Sequence, residues 1–255
     1  MDKKPILVAP CLALLAACGG SGSSGVSFTT LSVVGNGDGI ARGVTNTGEE
    51  ALLYSPEVAA VVASANAASS SDIANVRASD FPITSQSGNT QIRSGTMTSE
   101  GITLNVTALE DIRTSDTAAI FIQMPSRYND LSMVTGTAYT NTPSGSYTYN
   151  GTQATTLSNT IAPGATGSFT MVTDFGQSAF QYNGTSGGVG VSGSGALDTA
   201  NGRFATSGLS VTSGASSYGG TMHGLMHGSG ATATSGIFHT SGSSPAYIGA
   251  FVGSR

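Results

Sequence analysis

The only imidazoles in the chain lie close together near its end. His223 and His227 belong to the run Gly220-Thr-Met-His-Gly-Leu-Met-His-Gly228, and His239 follows in Ile237-Phe-His-Thr240. Neutral imidazole is a ligand for haem iron and for transition metals, so these are the first residues to weigh for chemistry. On a helix, His223 and His227 would form an i,i+4 metal pair, but Gly219, Gly220, Gly224 and Gly228 exclude a helix there. On a strand the two share one face, yet at ~3.3 Å per residue they stand about 13 Å apart, too far to hold one metal. His239, on the next strand, would have to complete a pair with one of them across the ladder. Met222 and Met226 alternate onto the opposite face. Two readings remain open: a haem or metal site made of His239 plus one partner, or histidines that are hydrogen-bonded or solvent-facing on a sheet wall.

Two Asp-Thr-Ala triplets, Asp116-Thr117-Ala118 and Asp198-Thr199-Ala200, invite an enzyme reading. A pair of such triplets can bring two carboxylates together to share one proton, as in aspartic-protease chemistry. However, Asp198-Thr-Ala-Asn-Gly202 falls between two strand-like runs, where Asp-x-x-Asn-Gly is ordinary hairpin material, and Asp116 sits just before a strand. The turn reading is the stronger. No Gly-x-Ser-x-Gly elbow, P-loop, His-Glu-x-x-His or dinucleotide fingerprint occurs. Asp174-Phe175-Gly176 copies a kinase triplet without the catalytic loop or strand lysine. Catalysis therefore has little behind it, and a non-enzyme is expected.

The N-terminus is more explicit. Asp2, Lys3 and Lys4 precede an apolar run, Ile6 to Ala17, which ends in Leu15-Ala-Ala-Cys18-Gly19. A charged start, a short apolar stretch and small residues before a cleavage point form a secretory signal, too short to span a bilayer as a stable helix. The cysteine after the small residues resembles the lipobox of bacterial lipoproteins. That resemblance implies a signal peptide over 1–17, acylation of Cys18 (palmitate included) and a membrane-anchored mature chain. Gly19 in place of aspartate fits sorting to the outer membrane in that family. Gly19-Gly-Ser-Gly-Ser-Ser-Gly25 completes a tether, 18–25, reaching about 15 Å by the random-coil relation.

Composition narrows what the rest does. The two cysteines are Cys11, inside the signal, and Cys18, so no thiol remains for a disulfide, a thiolate metal site or cysteine catalysis. The formal charge is −5, and loss of Asp2, Lys3 and Lys4 removes a net +1 to leave −6. The absence of any basic cluster argues against nucleic acid as a partner and against electrostatic docking to anionic lipid. Glycine is frequent, 36 residues, while charged residues make up only 9%. Aromatic and β-branched residues are spread throughout, which argues for a folded exported β protein.

The elements that must position the histidines follow from periodicity. Val26 to Val34 is expected to be a strand ending at a Gly35-Asn-Gly-Asp-Gly39 turn, with Ile40 to Thr45 returning. Ser55-Pro56-Glu57 opens a predicted helix carrying Val58, Val61, Val62 and Ala65, closed by Ser69-Ser-Ser71. Gln91–Thr98, Ile102–Leu109 and Ala118–Met124 read as strands. From Ser146 come eight more strand-like runs, each closed by Gly, Asn, Ser or Pro: Ser146–Tyr149, Ser168–Phe175, Ala179–Asn183, Val189–Leu197, Arg203–Thr212, Tyr218–His227, Ala231–Thr240 and Ala246–Val252. Even spacing without helices implies a meander of antiparallel hairpins, and eight strands can close into a barrel that leaves no sheet edge. Gly193, Gly195, Gly208, Gly220, Gly224, Gly236 and Gly249 inside strands suit a tightly curved barrel. The strands are too polar on both faces for a lipid-embedded pore. Asn150-Gly151-Thr152 and Asn183-Gly184-Thr185 fit the glycosylation sequon but are read as turns.

These residues also carry a family likeness. Gly220 to Ala231, Ser235-Gly-Ile-Phe238 and Ile248-Gly-Ala-Phe-Val-Gly253 resemble the closing strands of transferrin-binding-protein-B-like bacterial surface lipoproteins. Gly167 to Phe175 and Gly190 to Leu197 look like the family's first barrel hairpins. The likeness covers about Ser146 to Arg255 plus the lipobox. It implies a mainly β fold: an N-terminal α+β handle domain over 26–145 and an eight-stranded antiparallel β-barrel over 146–255. It also implies a binding protein anchored in the outer membrane and displayed at the cell surface. Its ligand would be haem, a metal carrier or a host or environmental protein, bound by loops including Asn183–Gly188 and Ser213–Ser217. The long charged loops that grip transferrin in larger members are missing, so transferrin is not carried over. The alternatives are a structural envelope lipoprotein without a soluble ligand and, behind it, the aspartic-protease-like enzyme.

Overall fold

The computed structural model of the protein describes residues 28–29, 37–45, 50–55, 62–63, 78–99, 102–114, 117–124, 129–157, 164–240 and 246–255. Cys18, the signal segment, the tether and Asp116 lie outside the described residues. Among those described, the chain is almost wholly β, with a single 3-10 turn at Ala78–Asp80.

The N-terminal strands are β1 (Phe28–Thr29), β2 (Gly37–Thr45), β3 (Glu50–Ser55), β4 (Val62–Ala63), β5 (Ile83–Ser87), β6 (Thr90–Ser99), β7 (Ile102–Asp111), β8 (Ala118–Met124) and β9 (Asn129–Thr137). Seven of them form one sheet in the order β3-β2-β9-β8-β7-β6-β5, while β1 and β4 pair separately. Two expectations are corrected here. Gly37-Asp38-Gly39 is strand, pairing in register with Gly136 and its neighbours in β9, because glycine and aspartate are accepted wherever the ladder supplies partners. Val62–Ala63, inside the expected helix, pairs with Phe28–Thr29, and the remainder of that helix lies outside the described residues.

The C-terminal strands are β10 (Ser146–Leu157), β11 (Ala165–Asp174), β12 (Ala179–Ser186), β13 (Val189–Asp198), β14 (Arg203–Ser213), β15 (Ser216–His227), β16 (Ala233–Thr240) and β17 (Tyr247–Ser254). They form a closed antiparallel barrel in chain order, sealed by β10 against β17. Hairpin turns drive the meander: Gly187 and Gly188 both have positive φ (55° and 80°), the signature of a two-residue type I′ turn.

The barrel lumen is solid. Tyr149, Phe180, Phe204, Phe238 and Phe251 are all at most 2% exposed and project inward with Met171, Met222 and Met226. The rings need room, and glycine supplies it. A Cβ on Gly249 would run into the Phe238 ring, one on Gly236 would lie 2.6 Å from Phe251 Cε1, and one on Gly151 would meet the backbone of Val252 and Gly253 as well as Phe169 Cε1 at 2.7 Å. This overturns the turn reading of Asn150-Gly151 and Asn183-Gly184. Both lie within strands, and each glycine is a seat for a neighbouring side chain, Phe169 and Gln153 respectively.

Candidate functional site

Strand alternation sorts β15 and β16 into an inner row and an outer row. Met222 and Met226 face the lumen, so Leu225 and the histidines of β15 face outward, as the period of two requires. The outer wall of β15, β16, β17 and β10 is covered by the N-terminal sheet. Ile92, Leu109, Ala119 and Val134 of the sheet pack on Ala154, Leu225, Ile237, Ala250 and Val252 of the barrel in one apolar cluster. Burial on both faces explains why every residue of β16 is buried.

The histidines therefore lie on the wall that faces the sheet, two of them sealed in. His227 is 1% exposed, and its Nε2 makes a 2.6 Å hydrogen bond with Ser235 Oγ. Its ring rests on Gly136 of β9, where a Cβ would come within 2.7 Å of Cε1. Burial pulls the His227 pKa down from 6.5 to about 4, against a small opposing pull from the Thr137 carbonyl. That carbonyl does not reach hydrogen-bond geometry with Nδ1, which is buried without a partner. His239 is 2% exposed, with Nδ1 3.0 Å from Thr221 Oγ1. His223 is half-buried.

No histidine has another as its cross-strand partner. His239 faces Thr221, His223 faces Ile237, and His227 faces Ala233. His223 and His239 are diagonal neighbours on the outer face, with Thr221 and Ile237 as their directly opposed partners. Among the described residues no group of three or more His, Cys, Asp or Glu side chains is placed to hold a metal ion. His227 and His239 act as packing and hydrogen-bonding residues of the sheet–barrel seam.

The seam has further polar ties that sequence reasoning missed. Gln123 Nε2 of β8 donates to Thr156 Oγ1 of β10 at 3.2 Å. Ser254 Oγ of β17 donates to the buried Asp111 carboxylate at the end of β7, and Arg113 donates to the same hydroxyl. The connection between sheet and barrel straps one barrel end: Tyr139 OH donates to the Thr199 carbonyl at 3.0 Å, and Gly230 N to the Thr140 carbonyl at 2.7 Å. Nothing local marks these residues, because each finds its partner far away in the chain. Asp198, the better aspartic-protease candidate, caps its own turn by accepting from Ala200 N at 2.9 Å and from the Asn201 side chain at 2.6 Å.

The opposite wall, β11 to β14, is open. A shallow groove of about 520 Å³ runs across it, bordered by Thr170, Val172, Gln181, Asn183, Ser192 and Ser210. Register shifts between Ser192 and Ala196 and between Thr206 and Leu209 bend the strands beneath it. The loops expected to bind are less generous. Asn183–Gly188 and Ser213–Ser217 contain only the tight turns Gly187-Gly188 and Gly214-Ala215, the rest of each segment being strand.

A filled barrel of consecutive hairpins, buttressed along one wall by an antiparallel sheet, defines a class: an all-β lobe built of a closed barrel and a covering sheet. The chain has the fold of transferrin binding protein B. It matches the isotype 1 protein of serogroup B Neisseria meningitidis at TM-score 0.51 and 10% identity, over 85% of this chain and 43% of that one. A double mutant of the Haemophilus parasuis protein, described as a vaccine antigen, matches at TM-score 0.51 and 14% identity, over 85% and 44%. The chain thus spans less than half the length of these proteins. No family profile matches the chain, and no curated protein is significantly similar in sequence.

Proposed function

We propose that the protein is a lipid-anchored outer-membrane lipoprotein, displayed at the cell surface, that binds a partner and catalyses no reaction. The observation that carries this is the sheet-buttressed barrel itself, which reproduces the fold of proteins described as binding transferrin. Because a shared fold does not carry a shared ligand, the ligand here is left at a protein of the host or environment. Support also comes from the acylation context of Cys18 and from the open β11–β14 wall, the broad face that the sheet leaves uncovered. Haem and metal have weaker support, since the histidines are spread along the seam.

The short turns at Gly187-Gly188 and Gly214-Ala215 favour a second reading, a structural envelope lipoprotein with no soluble ligand. Protease shaving separates the two. A surface-binding protein is degraded when protease is added to intact cells, whereas an envelope-facing one survives until the outer membrane is permeabilised. Recovery of one stoichiometric partner by pull-down with the full-length protein then completes the first reading.

A further inference from the structure

Between the β5–β6 turn of the sheet and the barrel edge at β10, β11 and β17 lies a cleft of about 380 Å³. Asn89, Thr90, Arg113, Asn150, Ser168 and Ser254 contribute its polar wall. Every heteroatom-bearing side chain there is a guanidinium, an amide or a hydroxyl, and no Asp or Glu side chain lines it. That is an unusual spot in a chain with 14 acidic and 9 basic residues.

Arg113 is held ready in this wall. Its side chain is 41% exposed, with Asp111 Oδ1 3.8 Å from Nε. Ser254 Oγ and the Asn89 side-chain oxygen accept from it, the latter lying 2.9 Å from Nε and 3.2 and 3.3 Å from Nη1 and Nη2 in the amide orientation that satisfies both groups. Two acceptor oxygens do not use up five N–H donors, so the held guanidinium presents the remainder without further ordering cost. Arg255 also borders the cleft, but its guanidinium stacks 3.8 Å over the Tyr147 ring and donates to the Gly230 carbonyl at 2.7 Å. It adds positive potential and no free fork.

We propose that this cleft binds a phosphate group, with Arg113 as the principal ligand. Phosphate offers several acceptor oxygens, matching a guanidinium fork surrounded by hydroxyl and amide donors, whereas one carboxylate would leave most of those donors unmatched. Asp111 already offsets one positive charge, so affinity is modest, with Kd on the order of 1 mM. The site does not depend on which partner the β11–β14 wall meets. The phosphate can be free or part of a lipid headgroup.

Isothermal titration of the full-length protein in non-ionic detergent tests this, with inorganic phosphate against sodium chloride at matched ionic strength. Saturable heat is expected from the parent and from Arg203→Gln, and binding at least about tenfold weaker from Arg113→Gln. Because Arg113 compensates Asp111, the pair Asp111→Asn, Arg113→Gln removes both charges together and serves if the single variant loses its β-sheet circular dichroism. No saturable phosphate heat in the parent, or unchanged heat in the folded Arg113 variant, overturns the proposal. Titration with a soluble short-chain phosphatidylglycerol then assigns the source: tighter binding than phosphate points to a lipid headgroup, weaker binding to free phosphate.

Discussion

Gly249→Ala offers a sharp test of how the barrel is built, because two physical effects predict opposite signs. Gly249 sits opposite Phe238 in the β16–β17 ladder, and the three atoms nearest an added Cβ all belong to the Phe238 ring. Its φ does not fall in the left-handed region, so alanine meets no backbone strain. Conformational entropy alone would make alanine stabilising by about 0.5–1 kcal/mol. Overpacking predicts the reverse, a loss of about 1–3 kcal/mol, since Phe238 is fully buried and cannot swing into solvent. Phe238→Leu alone should cost about 1–2 kcal/mol by lost packing. If the ring and the missing Cβ fill one space, the double variant should be no worse than the poorer single one, a coupling of about 1–2 kcal/mol. The chain has no tryptophan, so urea denaturation is followed by far-ultraviolet circular dichroism. A stabilised Gly249→Ala, or strictly additive losses, would refute the idea that glycines are seats for lumen rings.

The seam yields three further predictions. The unfolded chain binds a proton at His227 near pH 6.5 and the folded chain only near pH 4, so stability is lost as pH falls between those values, by up to about 3 kcal/mol. Urea midpoints at pH 7 and pH 4.5 should therefore diverge in the parent and converge in His227→Gln; equal slopes would contradict the burial argument. Gly136→Ala drives a methyl into the His227 ring and should cost about 1–3 kcal/mol, and Gln123→Ala about 1 kcal/mol through loss of its hydrogen bond to the Thr156 hydroxyl, both read from urea midpoints. Cys18→Ala should move the protein from the membrane to the soluble fraction on cell fractionation, and continued membrane association would count against acylation.

Much of the barrel was legible because its inward residues are large and apolar while its outward residues on β11 to β14 are polar, so alternation and glycine punctuation marked each strand. The starting residues of β12, β13 and β14 emerge from that pattern directly. β9 was not legible: Asn129 to Thr137 contains Asp130, Ser132 and Gly136 and lacks a run of β-formers, yet it is a central strand between β2 and β8. Pairing on both sides overrode its local preference. Ala231, counted with the strand that follows it, is a turn residue with φ of 59°. The placement of His223 and His227 on the face opposite the methionines followed from the period of two. Their burial did not, since it arises from a sheet whose covering residues, such as Gly136, lie some ninety positions earlier in the chain. Asp111, Arg113 and Ser254 were hidden for the same reason: a tie across 143 positions leaves no spacing to read.

Display of the β11–β14 wall at the cell surface is the claim on which the functional account rests. Val172 is 40% exposed on that wall, and the only native cysteines are Cys11 and Cys18, so Val172→Cys adds one new thiol there. Intact cells carrying Val172→Cys are treated with a membrane-impermeant maleimide, beside cells carrying the parent chain. The account predicts labelling of the variant alone, to the same extent before and after the outer membrane is permeabilised. Labelling that appears only after permeabilisation would place the wall inside the envelope and contradict a surface-binding role.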